Sequence, residues 1–306
     1  MLQTALLLCC ILLLGLMVWK AGPQHLWQTL CQLPLTIAFC IAVWGVGYLL
    51  NAASFREVLL GMGGRVGWLS VLRVTVTGYA LNYITPFGLL GGEPYRVWVL
   101  KERMGTQRAT QGVVLYSMMH VASHLLFWLL AAFVATGVAL LTRSNTGIGR
   151  KECLGAAALM LLCVGLLWLF WRLYRRGVAL RFMSHWVSWA LLDPSLLAPG
   201  RFVRALLFEL MSRLVNVVEY WLVMQALGYA NFSYADAFLV VAFSSLLANA
   251  LFFAPMQLGT REGGILLALQ YLLPGQLLGA ALTLSFATRI REFFWIAVGL
   301  AIAKRK

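Results

Sequence analysis

"NYITPFGLLGGEPYR", residues 82–96, interrupts an apolar region with helix-breaking residues and then supplies two opposite charges. Pro86 removes a backbone donor and clashes with the preceding turn of a helix, while glycines let the backbone approach other groups closely. Glu93 and Arg96 are three residues apart, so they share one face of a helix, and Pro94 suits a first helical turn. The stretch therefore predicts that one helix ends and a short charged helix begins inside an apolar region.

The composition places this break in an integral membrane protein. Of 306 residues, 62% are hydrophobic and 11% are charged, and the mean hydropathy is +0.85. Soluble domains are about half apolar and about one quarter charged, whereas a membrane-spanning helix needs roughly 20 apolar residues. Apolar runs of this kind recur along the chain. We therefore predict an all-α, polytopic integral membrane helical bundle that forms a single domain over residues 1–306.

Hydropathy and helix-breaking residues together predict about eight transmembrane helices. The first is expected to be retained and not cleaved as a signal peptide, because no basic residue precedes it. Two shorter segments, at 93–106 and 259–272, follow the broken helices. The predicted helices lie at about 2–19, 33–55, 67–86, 109–141, 153–173, 201–227, 235–254 and 276–302.

A second break repeats the pattern of the first. Pro86 precedes Glu93 by seven residues, and Pro255 precedes Glu262 by the same spacing. Glycines accompany both breaks, and a short segment and then a long helix follow each. Duplicated halves with interrupted helices at corresponding positions are typical of transporters. We predict two re-entrant or broken hairpins and a weak inverted internal repeat. The repeat halves are approximately 1–150 and 151–306.

The formal net charge of +14 is better explained by a membrane than by nucleic acid. Basic residues concentrate in cytoplasmic loops of membrane proteins and contact anionic headgroups there, and no nucleic-acid-binding motif accompanies them here. The basic clusters at 172–181 and 304–306 predict that both termini are cytoplasmic. We expect the chain to lie in the cell inner membrane. The six cysteines lack metal-ligand spacing and lie mostly in apolar runs, which predicts neither disulfides nor a metal site.

The two breaks supply the candidate binding residues. A helix N-terminus presents backbone amides and partial positive charge, and with a nearby arginine it binds anions. We predict that both helix starts face a shared polar cavity and hold an anionic lipid headgroup. The alternative is that Glu93–Arg96 and Arg261–Glu262 are ion pairs that fix the helix starts within the bundle. The candidate headgroup-binding residues are Gly91, Gly92, Glu93, Arg96, Arg261, Glu262 and Arg289.

Two later helices carry further charges in apolar surroundings. The helix at 201–227 carries Glu209, Arg213, Asn216 and Glu219 at i, i+4, i+7 and i+10, which predicts a polar stripe that faces the bundle interior. In the last helix, Arg289 and Glu292 are three residues apart and form a candidate pair.

His120 and His124 lie four residues apart and so share one helix face. This spacing can bind metal, but no carboxylate is nearby in sequence and the HExxH motif is absent. A neutral, hydrogen-bonded pair that lines the cavity is favoured, and a proton-relay role stays open because histidine titrates near neutral pH. The predicted cavity-lining residues are Asn82, His120, His124, Glu209, Arg213, Glu219 and Asn249.

Four stretches in order carry a resemblance to a known family. They are "NYITPFGLLGGEPYRVWVL" from residue 82, "MSRLVNVVEYWLVMQALG" from 211, "FFAPMQLGTREGGILLAL" from 252 and "TRIREFFWIAVGL" from 288. Together they resemble the transmembrane, flippase-like domain of the lysylphosphatidylglycerol synthase family. The resemblance implies eight helices with re-entrant segments that move charged phospholipids between leaflets. The positions that match its motifs are Glu93, Arg96, Arg261, Glu262 and Arg289, whereas His120 and His124 stand where members often carry Glu and Arg.

These observations predict a flippase or scramblase-like transporter of an anionic or aminoacylated phospholipid, which is not an enzyme and uses no cofactor. No G-x-x-x-x-G-K-[ST] motif is present, so this chain is not expected to use ATP. No soluble aminoacyl-transferase domain follows the apolar region, so synthesis of a lysyl-lipid is not expected either. An oligomer is compatible with the sequence.

Two other classes of function stay open. An intramembrane enzyme that acts on lipid or peptide would use His120 or His124 with Ser117 or Ser123, but the motif G-x-S-x-G is absent and no acid clearly orients either histidine. A non-catalytic membrane anchoring subunit is the third class.

The predicted topology can be tested with single cysteines in a cysteine-free background. Asn231→Cys should react with a membrane-impermeant thiol reagent in intact cells, because the uncharged 228–234 connection is expected to face outward. Arg305→Cys should react only after permeabilisation, because basic residues are retained in the cytoplasm. Labelling of position 305 in intact cells would contradict the topology.

Overall fold

The computed structural model describes most of the predicted helices. It covers residues 12, 15–84, 91–142, 198–251, 257–273, 275 and 277–303, with isolated residues at 161, 164, 165, 168, 169 and 172. In these ranges the chain consists of helices and short turns and contains no strand. The prediction of an all-α fold is confirmed, and the chain is a helical membrane protein.

The helices follow one another with short connections wherever the connection is described. Their bounds are α1 Pro23–Cys31, α2 Pro34–Gly61, α3 Trp68–Ile84, α4 Gly92–Met104, α5 Thr106–Thr142, α6 Pro199–Ala226, α7 Tyr234–Ala250, α8 Thr260–Leu272 and α9 Leu278–Ala303.

Among the residues that the structure describes, two helices have the length and hydropathy of membrane spans. These are α2, and α5 over residues 106–137, each with a mean hydropathy of 1.8. Helix α7 is apolar but shorter. The predicted number of about eight spans stays a prediction, as does the assignment of one domain with two sequence halves. The predicted helix at 153–173 lies almost entirely outside the described residues.

The sequence prediction missed α1. Gly22 has a φ of 83°, in the left-handed region that favours glycine, and Pro23 occupies the first helical turn. Gln24, His25 and Gln28 then make the segment too polar to resemble a membrane span. A helix of this length is recognised from its cap residues and not from its hydropathy.

The helices around the two breaks have matching lengths, as the predicted repeat requires. Helices α3 and α7 both have 17 residues, α4 and α8 both have 13, and a long helix follows each short one. Pro86 and Pro255 themselves lie outside the described residues. The described helix ends on either side are the start of α4 at Gly92, the end of α7 at Ala250 and the start of α8 at Thr260, and these lie close to the predicted breaks.

The chain divides into two compact units, which are described separately. Unit 1 comprises Met1–Gly47, Val76–Gly92 and Arg213–Lys306, and unit 2 comprises Tyr48–Thr75 and Glu93–Ser212. In unit 2 the core brings together α2, α3, α4 and α5, and the rings of Phe55 and Tyr116 lie 4.5 Å apart. The buried members of this core include Ala52, Leu59, Val71, Val74, Leu100 and Val113.

In unit 1, α8 packs against both α7 and α9, and α9 also contacts α1. Side chains bond to helix backbones at two further places. The indole Nε1 of Trp295 donates to the carbonyl of Ile41 at 3.0 Å, and Thr77 Oγ1 donates to the carbonyl of Gly299 at 3.1 Å. These contacts fix α9, which carries Arg289, Arg291 and Glu292.

Gly92, the first residue of α4, is expected to be intolerant of any side chain. A Cβ at this position would lie 2.2 Å from the carbonyl oxygen of Gly78 and 2.8 Å from Asn82 Oδ1. Gly92→Ala should therefore lower the stability by about 1–3 kcal/mol, the usual cost of overpacking. Thermal unfolding in detergent measures this loss.

The matched control is Gly263→Ala, in the first turn of α8. A Cβ at Gly263 meets nothing within 4 Å, and alanine is a better helix former than glycine, so this variant should be neutral or slightly stabilised. Equal effects of the two substitutions would show that the contact with Gly78 does not constrain α4.

Candidate functional site

The start of α4 combines a helix cap with an ion pair. Asn82 Oδ1 accepts the backbone N–H of Gly92 at 2.7 Å, which satisfies one of the free amides at the helix start. Arg96 Nη1 donates to Glu93 Oε1 at 2.9 Å, so the pair expected from their spacing is present. The guanidinium carbon of Arg96 lies 5.2 Å from the ring centre of Tyr116, and the Arg96 side chain is almost fully buried.

The start of α8, in unit 1, is organised by one buried carboxylate. Glu262 Oε2 accepts the backbone N–H of Gly259 at 2.8 Å and so caps the helix. Its other oxygen, Oε1, accepts Ser285 Oγ at 2.7 Å and Arg289 Nε and Nη2 at 2.9 and 2.6 Å. Glu262 therefore links the cap of α8 to an ion pair with α9.

Arg261 also reaches across to α9. Its Nη1 donates to Glu292 Oε1, and its Nη2 donates to Thr288 Oγ1 at 2.6 Å. The candidate pairs Arg261–Glu262 and Arg289–Glu292 are therefore wrong. Adjacent residues on a helix point about 100° apart, and both charges of α8 find their partners on the facing helix.

Arg291 forms the most buried ion pair in unit 1. Its Nε and Nη2 donate to the two oxygens of Glu219 at 2.9 and 3.1 Å, a bidentate arrangement that only arginine offers. Its guanidinium carbon lies 3.5 Å from the ring centre of Trp44, and both charged side chains are 1% exposed. Arg291 Nη2 is also 3.8 Å from Glu292 Oε1, which connects this pair to Arg261.

These six residues form a charge-balanced group that we call the arginine–glutamate cluster. Three arginines supply three positive charges and three glutamates supply three negative charges, so the cluster is neutral when all six are ionised. Its members are Arg261, Arg289, Arg291, Glu219, Glu262 and Glu292.

Unit 2 holds a different kind of charged contact. His120 Nδ1 lies 2.9 Å from Glu209 Oε2, and Glu209 is fully buried whereas 27% of the His120 side chain is exposed. The fold thus supplies the carboxylate that the sequence near His120 lacks. Ser123 Oγ donates to the backbone carbonyl of His120 at 2.7 Å, and His124 packs edge-on against His120 with ring centres 5.2 Å apart.

The remaining candidates occupy varied positions. Arg213 and Glu219 are buried, as expected for an interior stripe. Asn249 is exposed, and its amide donates to the carbonyl of Ser245 at 2.7 Å within α7. Gly91 is partly exposed beside Gly92. Headgroup contact and cavity lining stay predictions for all of these residues.

Sequence reasoning missed several partners of the cluster. Ser285 and Thr288 recur with Arg289 and Glu292 at spacings of three or four, so a polar stripe on α9 could have revealed them. Trp44 could not be found this way, because a tryptophan within an apolar helix has no local feature that marks a cation contact.

Comparison with known proteins agrees with the resemblance. A family model described as the lysylphosphatidylglycerol synthase TM region matches residues 1–299, which is nearly the whole chain. A search of curated proteins found no matching relative.

The Glu262–Arg289 pair should show strong coupling in a double-mutant cycle. Arg289→Met leaves Glu262 as a buried charge without its guanidinium, which typically costs about 3–5 kcal/mol. Adding Glu262→Gln removes that charge while keeping an oxygen for the Gly259 amide, so the double variant should regain most of the loss. Thermal unfolding in detergent measures all three variants.

The control cycle uses Glu57 and Arg204, whose ion pair spans 3.0 Å in unit 2 with the arginine 55% exposed. Exposed pairs contribute roughly 0–1 kcal/mol, so coupling there should be small. Purely additive losses at Glu262 and Arg289 would contradict the importance of their contact.

Proposed function

The chain belongs to the lysylphosphatidylglycerol synthase transmembrane family, whose members are membrane proteins related to lipid handling, and we propose that it is a phospholipid transporter. It moves a lipid with an anionic or aminoacylated headgroup between the two leaflets of the cell inner membrane, in the manner of a flippase or scramblase. Both of its termini are cytoplasmic. The proposal extends the family assignment to a transport activity and to a class of substrate.

The arginine–glutamate cluster is the observation that carries this proposal. Buried ion pairs add little stability compared with well-packed apolar side chains, so three of them in an apolar chain favour a role beyond holding helices together. A phosphate group offers oxygens that match the guanidinium fork as a carboxylate does. A lipid phosphate can therefore replace a glutamate at an arginine without leaving that arginine as an unpaired charge.

The burial of the three arginines suggests different roles. Arg261 is 12% exposed, Arg289 is 9% exposed and Arg291 is 1% exposed. We assign the first phosphate contact to Arg261, which exchanges Glu292 for the lipid. Glu292 already lies 3.8 Å from Arg291, so it keeps a cationic partner after the exchange or contacts the amine of an aminoacylated headgroup. Arg289, which lies on the same face of α9 as Glu292, then also binds the phosphate.

The start of α4 is proposed as a headgroup contact on its own grounds. Gly92 brings the backbone of α4 close to α3, and Glu93 and Arg96 form an ion pair of the same kind that a phosphate can open. That Glu93 and Arg96 are expected, from the resemblance, to match motif positions of the family supports this part of the proposal.

The contacts of His120 favour a transporter over a hydrolase. Glu209 does orient the His120 ring, which is the second element that a serine hydrolase needs. The hydroxyl of Ser123, however, donates to the backbone carbonyl of His120 at 2.7 Å. A nucleophile activated by His120 would need that proton to face the ring.

Reconstitution into vesicles tests the proposal. Vesicles that contain the protein should move fluorescent anionic or aminoacylated phospholipids between leaflets faster than protein-free vesicles, with a zwitterionic lipid as the comparison. Arg261→Lys keeps the charge but loses the fork, and should slow movement by roughly tenfold to a hundredfold, since one charge-assisted hydrogen bond contributes about 1.5–3 kcal/mol.

The control is Arg201→Lys, a change at a partly exposed arginine that lies 3.6 Å from Glu57. It should leave lipid movement unchanged. Wild-type rates from Arg261→Lys would remove Arg261 from the site, and no movement of any lipid by the wild-type protein would contradict transport itself.

A further inference from the structure

The buried carboxylates of the described residues have partners of two kinds. Glu219, Glu262 and Glu292 each contact an arginine, and arginine stays protonated at every physiological pH. Glu209, equally buried, contacts the imidazole of His120 at 2.9 Å. Histidine is the side chain whose charge changes near neutral pH, so the His120–Glu209 pair can exchange a proton where the arginine pairs cannot.

Aromatic and imidazole rings connect this pair along one face of α5. Tyr116, His120, His124 and Trp128 recur every four residues, with successive ring centres 6.5, 5.2 and 5.3 Å apart. His120 is partly exposed, whereas Glu209 is not. A proton therefore reaches the pair through His120, and His124 is the next titratable group along the row.

Charged and titratable groups lie near the pair on several elements. On α5 the titratable neighbours are Tyr116 and His124, and from α4 Arg96 lies over the Tyr116 ring and is paired with Glu93. From α2 the ring against Tyr116 belongs to Phe55, which does not titrate. Arg213 follows Glu209 by one turn of α6.

We propose that His120 and Glu209 form the proton-binding site that couples lipid movement to a proton gradient. This inference rests on the proposed transport function. An ionised Glu209 only accepts, so His120 Nδ1 carries a hydrogen toward it, and an incoming proton adds to His120 Nε2. The pair then changes from a net charge of −1, with neutral imidazole and carboxylate, to a neutral imidazolium–carboxylate pair.

This change of charge biases the conformation of the protein. A net negative charge is costly to bury in an apolar medium, whereas a compensated pair is much less costly. Proton uptake therefore stabilises the arrangement in which Glu209 is fully buried, and proton loss favours an arrangement in which the pair contacts water. A ligand that binds one state better shifts the population toward it, and here the proton is that ligand.

The proton site can be tested without transport. Histidine labelled with carbon-13 at Cε1 gives one NMR signal for each of the four histidines, and His120→Gln identifies the signal of His120 in detergent. That signal should titrate between about pH 5 and 9, and Glu209→Gln should shift its midpoint by about one unit or more. A His120 signal that does not titrate, or that ignores Glu209→Gln, overturns the proposal.

Coupling is tested in vesicles with the membrane potential clamped at zero and a trace of fluorescent anionic phospholipid. With one proton per lipid, a pH difference of one unit should sustain about a tenfold lipid asymmetry in the wild-type protein. His120→Gln should abolish this asymmetry while still letting the lipid equilibrate between leaflets. His25→Gln, at an exposed histidine of α1, should behave as the wild type.

The outcomes distinguish the claim of lipid transport from the claim of proton coupling. If the wild-type protein equilibrates lipid but a pH difference produces no asymmetry, coupling is overturned and transport stands. If it moves no lipid under either condition, transport is overturned and coupling with it. If His25→Gln loses the response as well, the effect is not specific to the His120–Glu209 pair and the proposal fails.

Discussion

Charge neutralisation without water is the constraint on which the structure of unit 1 depends. The three arginines and three glutamates of the cluster are nearly inaccessible to solvent, and a single uncompensated charge there would cost several kcal/mol. Each ion therefore needs a partner at a fixed distance, and this need determines how α8 meets α9. Glu262 makes two of these contacts at once, because the same side chain caps α8 and binds Arg289.

The buried carboxylates of the two units have different kinds of partner. In unit 1 the guanidinium groups bind their carboxylates by bidentate or shared contacts, and Trp44 covers the face of Arg291. In unit 2 the acid at Glu209 contacts an imidazole that is partly open to solvent. The first arrangement suits exchange of one anion for another, whereas the second suits exchange of a proton.

The sequence was informative wherever a contact is local. Helix bounds near the two breaks follow from proline, glycine and hydropathy, and the Glu93–Arg96 contact follows from a spacing of three. The ion pairs between residues of different helices could not be predicted from local spacing. The candidate partner of Arg261 was its neighbour Glu262, although the true partner, Glu292, is 31 residues further along the chain. His120 likewise meets an acid 89 residues away, which only the packing of α5 against α6 reveals.

Helix α9 carries Arg289, Arg291 and Glu292 near its middle, and this has a consequence for biosynthesis. Charged residues at the centre of an inserting helix each add about 2.5–3.5 kcal/mol to the free energy of membrane integration. Helix α8 offers complementary charges and precedes α9 by only a short connection. Release of the two helices from the translocon as a hairpin would let Glu262 and Arg289 pair before either meets lipid alone. Helices α8 and α9 would then integrate into the membrane together, because the charges of α8 would compensate those of α9 during insertion.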